Sequence, residues 1–164
     1  MLVIKLIVEG LGLGALLVLI CAVGIKNGAV GMVHLYDQKV QSRVVQLGMM
    51  TEEAIRKRSV RFRSLCLPAY MVYVLVCVYA INGTRGFLPG FWQGFVILSI
   101  MNLIDRLLID EYWVGHTHAW IIPGTEDLRP YITTADKKNK WIMGTLGMAV
   151  MAAALSGIMC LILK

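Results

Sequence analysis

The chain has 164 residues, 58% of them hydrophobic and only 16% charged, with a net charge of +6. A soluble domain carries about 45–50% apolar and about 25% charged residues, so a soluble globular enzyme is excluded, and so is a disordered chain, which needs low hydrophobicity. The composition fits an all-α integral membrane protein. It reads as one transmembrane domain over 1–164, with spans at about 2–25, 64–81, 87–109 and 141–163.

The first run, Leu2 to Ile25, is broken only by Lys5 and Glu9. A bilayer core of about 30 Å needs about 20 apolar helical residues, whereas a barrel strand would be about 10 residues of alternating polarity. The run is too long for the apolar region of a signal peptide, and no A-x-A site follows it, so it is expected to stay as a helix. Lys5 and Glu9 are four apart, which predicts an ion pair on one helix face. The alternative for Glu9 is a carboxylate lining an ion or proton path. Gly10 with Gly14, and Gly24 with Gly28, form small-xxx-small pairs that let helices approach closely in lipid. Such pairs serve packing within one protomer or a homo-oligomer. A chain this small has little room for a private cavity, which favours a homo-oligomer.

The connection over about 26–63 is too long for a bare turn. Val40, Val44, Leu47 and Met50 follow a helical spacing and predict an amphipathic helix. Thr51 followed by Glu52 and Glu53 looks like the capped start of a further helix running into span two. Pro68 lies inside that span, where it could bend it. Asn82-Gly83-Thr84, between spans two and three, matches a glycosylation pattern but reads as a tight Asn-Gly turn.

The third run meets a polar stretch at its end, from Asn102 to His118. Ionisable residues at membrane depth are expensive and point to a site. On a continued α-helix Asp105, Tyr112 and His116 share one stripe, with Asn102 a turn earlier. Arg106 and Asp110 are four apart and can pair. Three readings follow. The charges pair and snorkel; or Asp105, Asp110, His116 and His118, with His34 and Asp37 in reserve, hold a divalent metal; or Asp105 or Glu111 acts as acid and His116 as base in proton transfer. Asn102, Tyr112, Trp113 and Trp120 are the candidate substrate contacts. The second connection, about 110–140, is rich in aromatics around Pro123-Gly124 and is expected to be ordered. Thr125 is a candidate cap for a short helix begun by Glu126 and Asp127. The fourth run, Trp141 to Leu163, carries no charge. Cys21, Cys66, Cys77 and Cys160 include no C-x-x-C pair, and a Cys77–Cys160 disulfide is the one bridge considered.

Basic residues set the orientation. Eight lie over 26–63 and five over 106–140, against Lys5, Arg85 and Lys164 on the other side. Both long connections are therefore expected in the cytoplasm and both termini outside, in the plasma (inner) membrane. Arg56, Lys57, Arg58, Arg61 and Arg63 would meet anionic headgroups; nucleic acid is not an expected partner, because no reader motif accompanies the charge. The functional expectation is a membrane-embedded enzyme acting on a lipid or other apolar substrate. The alternatives are an oligomeric channel or transporter using Glu9 and Asp105, or an assembly partner of another membrane protein.

Overall fold

The computed structural model describes residues 1–163; Lys164, counted above among the outer cations, lies outside them. Helix α1 is Leu2–Ile25, and a 3-10 segment Ala29–Leu35 leads to α2, Gln38–Gln46. Helix α3 is Glu52–Leu75, continued by a π-helical segment Val76–Ile81. Helix α4 is Phe87–Ile104, continued by a π-helical segment Asp105–Val114, and α5 is Thr134–Ile162. No strand occurs among the described residues. Four of these helices, over Leu2–Ile25, Glu52–Ile81, Phe87–Val114 and Thr134–Ile162, are long and apolar enough to cross a membrane. Even the shortest spans roughly 36 Å at 1.5 Å per residue. The chain is a multi-pass membrane protein.

Two of the helices start well before their apolar runs, and capping explains why. Thr51 accepts a hydrogen bond from the Ala54 N–H at 3.2 Å, and Glu52 and Glu53 fill the first turn of α3. Thr133 and Asp136 form a reciprocal capping box at the start of α5. Nothing between cap and span breaks either helix. The basic stretches Arg56–Arg63 and Lys137–Lys140 are therefore helical turns continuous with the spans.

Helix α4 is the centre of the bundle, with α1 along one side and α5 along the other; α3 touches it only lightly. The α1–α4 seam rests on matched spacings. Gly10 faces Ile100 and Gly14 faces Ile104, so both pairs repeat every four residues. A Cβ on Gly10 would lie 2.6 Å from the Ile100 Cβ. Lipid supplies no hydrophobic drive between helices, so such close approach carries the packing. Gly24 likewise lies against Met32. The small-residue face of α1 is thus used within the chain, whereas Gly147 and Gly157 on α5 have nothing within 4 Å.

Polar contacts tie one end of the bundle. Asn82 Nδ2 donates to Glu9 at 3.1 Å and to Gln93 at 3.2 Å, and the Tyr73 hydroxyl donates to the Glu9 carbonyl at 2.9 Å. Among the described residues the expected Lys5–Glu9 pair does not form; Asn82, reaching over from the Asn-Gly turn, takes the carboxylate instead. That turn uses positive φ at Gly83 (63°) and Gly86 (84°). Ser156 of α5 donates to the Phe87 carbonyl at 2.5 Å and accepts from Tyr79 at 3.2 Å. All four cysteines are free, so the Cys77–Cys160 bridge is absent.

At the other end the two long connections dock on each other as a cap. The Tyr36 hydroxyl donates to the Trp120 carbonyl at 2.6 Å. Arg43 grips Asp127 with two nitrogens at 3.1 and 3.2 Å. Val40, Val44, Ile122 and Thr125 are buried between them. The amphipathic helix is present but stops at Gln46, because Gly48 turns the chain with φ at 69°; Leu47 is left exposed. Thr125 is not a side-chain cap. Its hydroxyl donates to the Ile122 carbonyl at 2.8 Å and meets the Tyr131 hydroxyl at 2.8 Å, leaving a single 3-10 turn at Glu126–Leu128.

A sign difference tests the α1–α4 seam. Gly→Ala in an open helix position stabilises by up to about 1 kcal/mol. Gly147→Ala should therefore raise the unfolding midpoint in detergent, while Gly10→Ala should lower it through the clash with Ile100, by about 1–3 kcal/mol. A Gly10→Ala protein at least as stable as the parent would show that the seam is not tightly packed.

Candidate functional site: a charged network at the end of an apolar cleft

From Asp105 onward α4 changes from i→i+4 to i→i+5 hydrogen bonding. In this register residues five apart become neighbours, not those at multiples of 3.6. The expected stripe of Asp105, Tyr112 and His116 is therefore not built. Asp105 and Asp110 come together instead, on either side of Arg106. Arg106 Nη2 lies 2.6 Å from Asp105 Oδ2, and Nη1 donates to Asp110 Oδ2. The Arg106 Nε donates to Asn102 Oδ1 at 3.4 Å, and Lys140 of α5 reaches Asp110 at 3.1 Å. Asn102 is itself buried beneath α5, where a Cβ on Gly144 would lie 2.9 Å from its Oδ1. The Arg106 and Asp110 side chains are only 15% and 12% exposed, so their charges must be compensated locally. Two acids and two bases do so, and the network is neutral.

The remaining polar candidates lie elsewhere. Glu111 pairs with Lys137 at 2.5 Å, both half-exposed, a setting in which an ion pair stabilises by about 0–1 kcal/mol. His116 is exposed; its Nδ1 lies 2.9 Å from the Glu111 carbonyl, and its ring stacks on Tyr112 with centroids 6.1 Å apart. His118 is exposed as well. Asp105 is thus separated from Glu111 and His116, and the single acid–base stripe drawn from sequence is not assembled. Among the described residues no three His, Cys, Asp or Glu side chains are grouped so that they could hold a metal ion. The proposed ligand set of Asp105, Asp110, His116 and His118 is split by the same change of helical register, and His34 and Asp37 do not complete it.

The network stands at one end of a cleft of about 530 Å³. The cleft exists because α3 stands away from α4 and α5. Its apolar walls come from every spanning helix: Leu17 and Cys21, Leu67 and Tyr70, Leu98 and Met101, Met148 and Met151. Asp105, Arg106, Asp110 and Lys140 line its polar end, and the cap covers it with Tyr36, Trp120 and Tyr131. Asp37 and Asp136 also reach it, each already engaged as a helix cap. Burial, reinforced by Tyr131, pushes the Tyr36 hydroxyl well above its usual pKa, so it stays a neutral donor to the Trp120 carbonyl. The Trp113 and Trp120 rings meet edge to face at 5.5 Å, an arrangement that holds the cap over the cleft.

Of the candidate substrate contacts, Trp120 lines this cleft, Asn102 anchors Arg106 from behind, Trp113 braces Trp120, and Tyr112 is exposed outside it. Sequence reasoning missed Tyr36, Tyr70 and Lys140. The Thr133-Asp136 capping box was the available signal for Lys140, since it extends α5 back beyond the apolar run. Comparison with known proteins adds no relative: no family model, curated protein or solved structure matches the chain.

Removing Arg106 leaves two carboxylates facing each other in a partly buried site. Arg106→Leu should cost about 3–5 kcal/mol in detergent unfolding, the range for breaking a buried ion pair from one side. Adding Asp105→Asn and Asp110→Asn to the same protein should restore most of that loss. A triple variant as unstable as the single one would mean that Arg106 acts by packing alone.

Proposed function

We propose that this protein takes an amphipathic molecule of the lipid class into the cleft, and that this molecule is its ligand or substrate. The observation that carries the reading is the shape of the polarity. A single cavity between membrane-crossing helices is apolar along its length and charged at one end only. Ligand sites are generally apolar with a few convergent polar groups. An acyl or other apolar tail matches Leu98, Met101, Met148 and Met151. A polar head matches Arg106 and Lys140 as donors and Asp105 and Asp110 as acceptors. As an enzyme, the protein would use Asp105 as its acid or base, since its side chain is 25% exposed against 12% for Asp110. Glu111 and His116 would not take part in that step.

The proposed orientation puts both long connections in the cytoplasm and both termini outside, on the thirteen-to-three division of basic residues. The cleft's polar end and the cap then lie at the inner face, where Lys57 and Arg61 meet anionic headgroups.

Two measurements test these readings. Filling the cleft with Met148→Trp should remove co-purifying lipid seen by native mass spectrometry while leaving the helical circular dichroism unchanged; equal lipid occupancy in both proteins would overturn the cleft as the site. In a cysteine-free background, Arg85→Cys should react with a membrane-impermeant maleimide in intact cells and His118→Cys should not. The reverse pattern would invert the orientation.

A further inference from the structure

A second cavity, about 400 Å³, lies between α2 and the first half of α3. Each helix contributes one face. Gln38, Gln41 and Ser42 line it from α2, and Arg56, Ser59 and Arg63 from α3. These spacings of three, four and seven put each set on a single side of its helix. His34 closes one end.

Gln41 Nε2 donates to the Tyr36 carbonyl at 2.7 Å, but the groove's arginines and histidine differ from the charged groups of the first cleft in having no partners among the described residues. Among the described residues neither Arg56 nor Arg63 makes an ion pair or a hydrogen bond. Their neighbours are engaged: Lys57 pairs with Glu53 at 2.8 Å, and Arg58 donates to the Gly31 carbonyl at 3.1 Å. The two ring nitrogens of His34 are buried and unpartnered. Phe62 packs against that ring with centroids 5.1 Å apart. Leaving a buried polar atom without a partner is unfavourable, so an occupant that supplies an acceptor is favoured. Glu52 is the one acid lining the groove. Two arginines against it leave the groove with an excess positive charge.

We propose that this groove binds a phosphate-type anion, held between Arg56 and Arg63 with Ser42, Ser59 and His34 as further donors. The planar guanidinium fork suits phosphate oxygens better than an ammonium does. Such a group could be a free phosphate or the exposed phosphomonoester head of a lipid, and the groove's chemistry is the same for both. This site is independent of the apolar cleft.

His34 adds a pH signature. Burial and the positive charges of Arg58 and Arg63 hold its imidazole below the usual pKa, so it is neutral near pH 7. The charged groups around the groove are Glu52, Arg56, Arg58 and Arg63, all from α3; the lining residues from α2 carry no charge. A bound anion offsets the arginines and favours the imidazolium. For an anion whose own charge is constant over the range, such as sulfate, binding should therefore take up a proton and tighten as the pH falls.

The test is titration of the purified protein in neutral detergent with inorganic phosphate, and in nanodiscs containing phosphatidic acid or phosphatidylcholine alone. Saturable binding of phosphate is expected. Arg56→Gln with Arg63→Gln should weaken it at least about tenfold, the loss of two charge-assisted contacts. Lys26→Gln with Lys138→Gln removes the same charge outside the groove and should change it less than about twofold. Arg56→Lys with Arg63→Lys should recover part of the affinity, which separates site loss from misfolding. Binding seen only with phosphatidic acid, with the same pattern of variants, assigns the groove to a lipid head. No binding of either probe, or equal loss in the two glutamine double variants, overturns the proposal. Met148→Trp should leave phosphate binding intact, so failure of the cleft reading and of this one are told apart.

Discussion

Arg106 is the residue on which the functional end of the bundle depends. Its guanidinium stands between two carboxylates five positions apart on one helix. It forms where α4 leaves the α-helical register at Asp105. In an α-helix residues five apart such as Asp105 and Asp110 stand farther apart around the axis. The π-helical segment brings both to one cation, with Asn102 holding the cation from the turn before. Lys140 then completes the neutralisation, and it is in reach only because the capping box at Thr133 starts α5 early. A cap, a helix extension and a charge balance are thus links in one chain of causes.

The cleft follows from where small residues are and are not found. The α1–α4 seam closes through Gly10 and Gly14, and α4 meets α5 through Gly94 and Gly144. Helix α3 has no glycine between Glu52 and Leu75. It carries Phe62, Tyr70 and Tyr73 toward its neighbours and stands away from them. Two hydrogen bonds, Tyr73 to α1 and Tyr79 to α5, fix it at one end. The docked connections fix it at the other. The space between is not a packing fault in an otherwise close bundle; it is the consequence of one bulky helix held only at its ends.

Much of the fold was legible in the sequence, because span length and apolarity are local properties. The four runs, the Thr51 cap, the Asn-Gly turn and an ordered second connection all depend on residues close together in the chain. The site was legible in part. Asp105, Asp110 and Arg106 could be singled out by their cost at membrane depth, and the Arg106–Asp110 pair by its spacing. The grouping of Asp105 with His116 failed because it assumed a period of 3.6 where the backbone uses i→i+5 bonds, and no residue type announces that change. The Lys5–Glu9 pair failed for a different reason: Asn82, 73 positions away, competes for the same carboxylate.

The net charge of +6 gains meaning once the pairings are known. Arg43, Lys57, Arg106, Lys137 and Lys140 are each matched to an acid. They shape the protein and add little to its external field. Arg56 and Arg63 are left without partners, yet they sit on one helix face opposite hydroxyl and amide side chains. The strip His34 to Asp37, together with Phe62, forms the wall between this basic groove and the apolar cleft. Unpaired cations spread over an extended helix would be a general attraction for any anionic surface. Gathered into a groove and screened from the paired network by one aromatic wall, they acquire a geometry, and geometry is what separates a site from a charge.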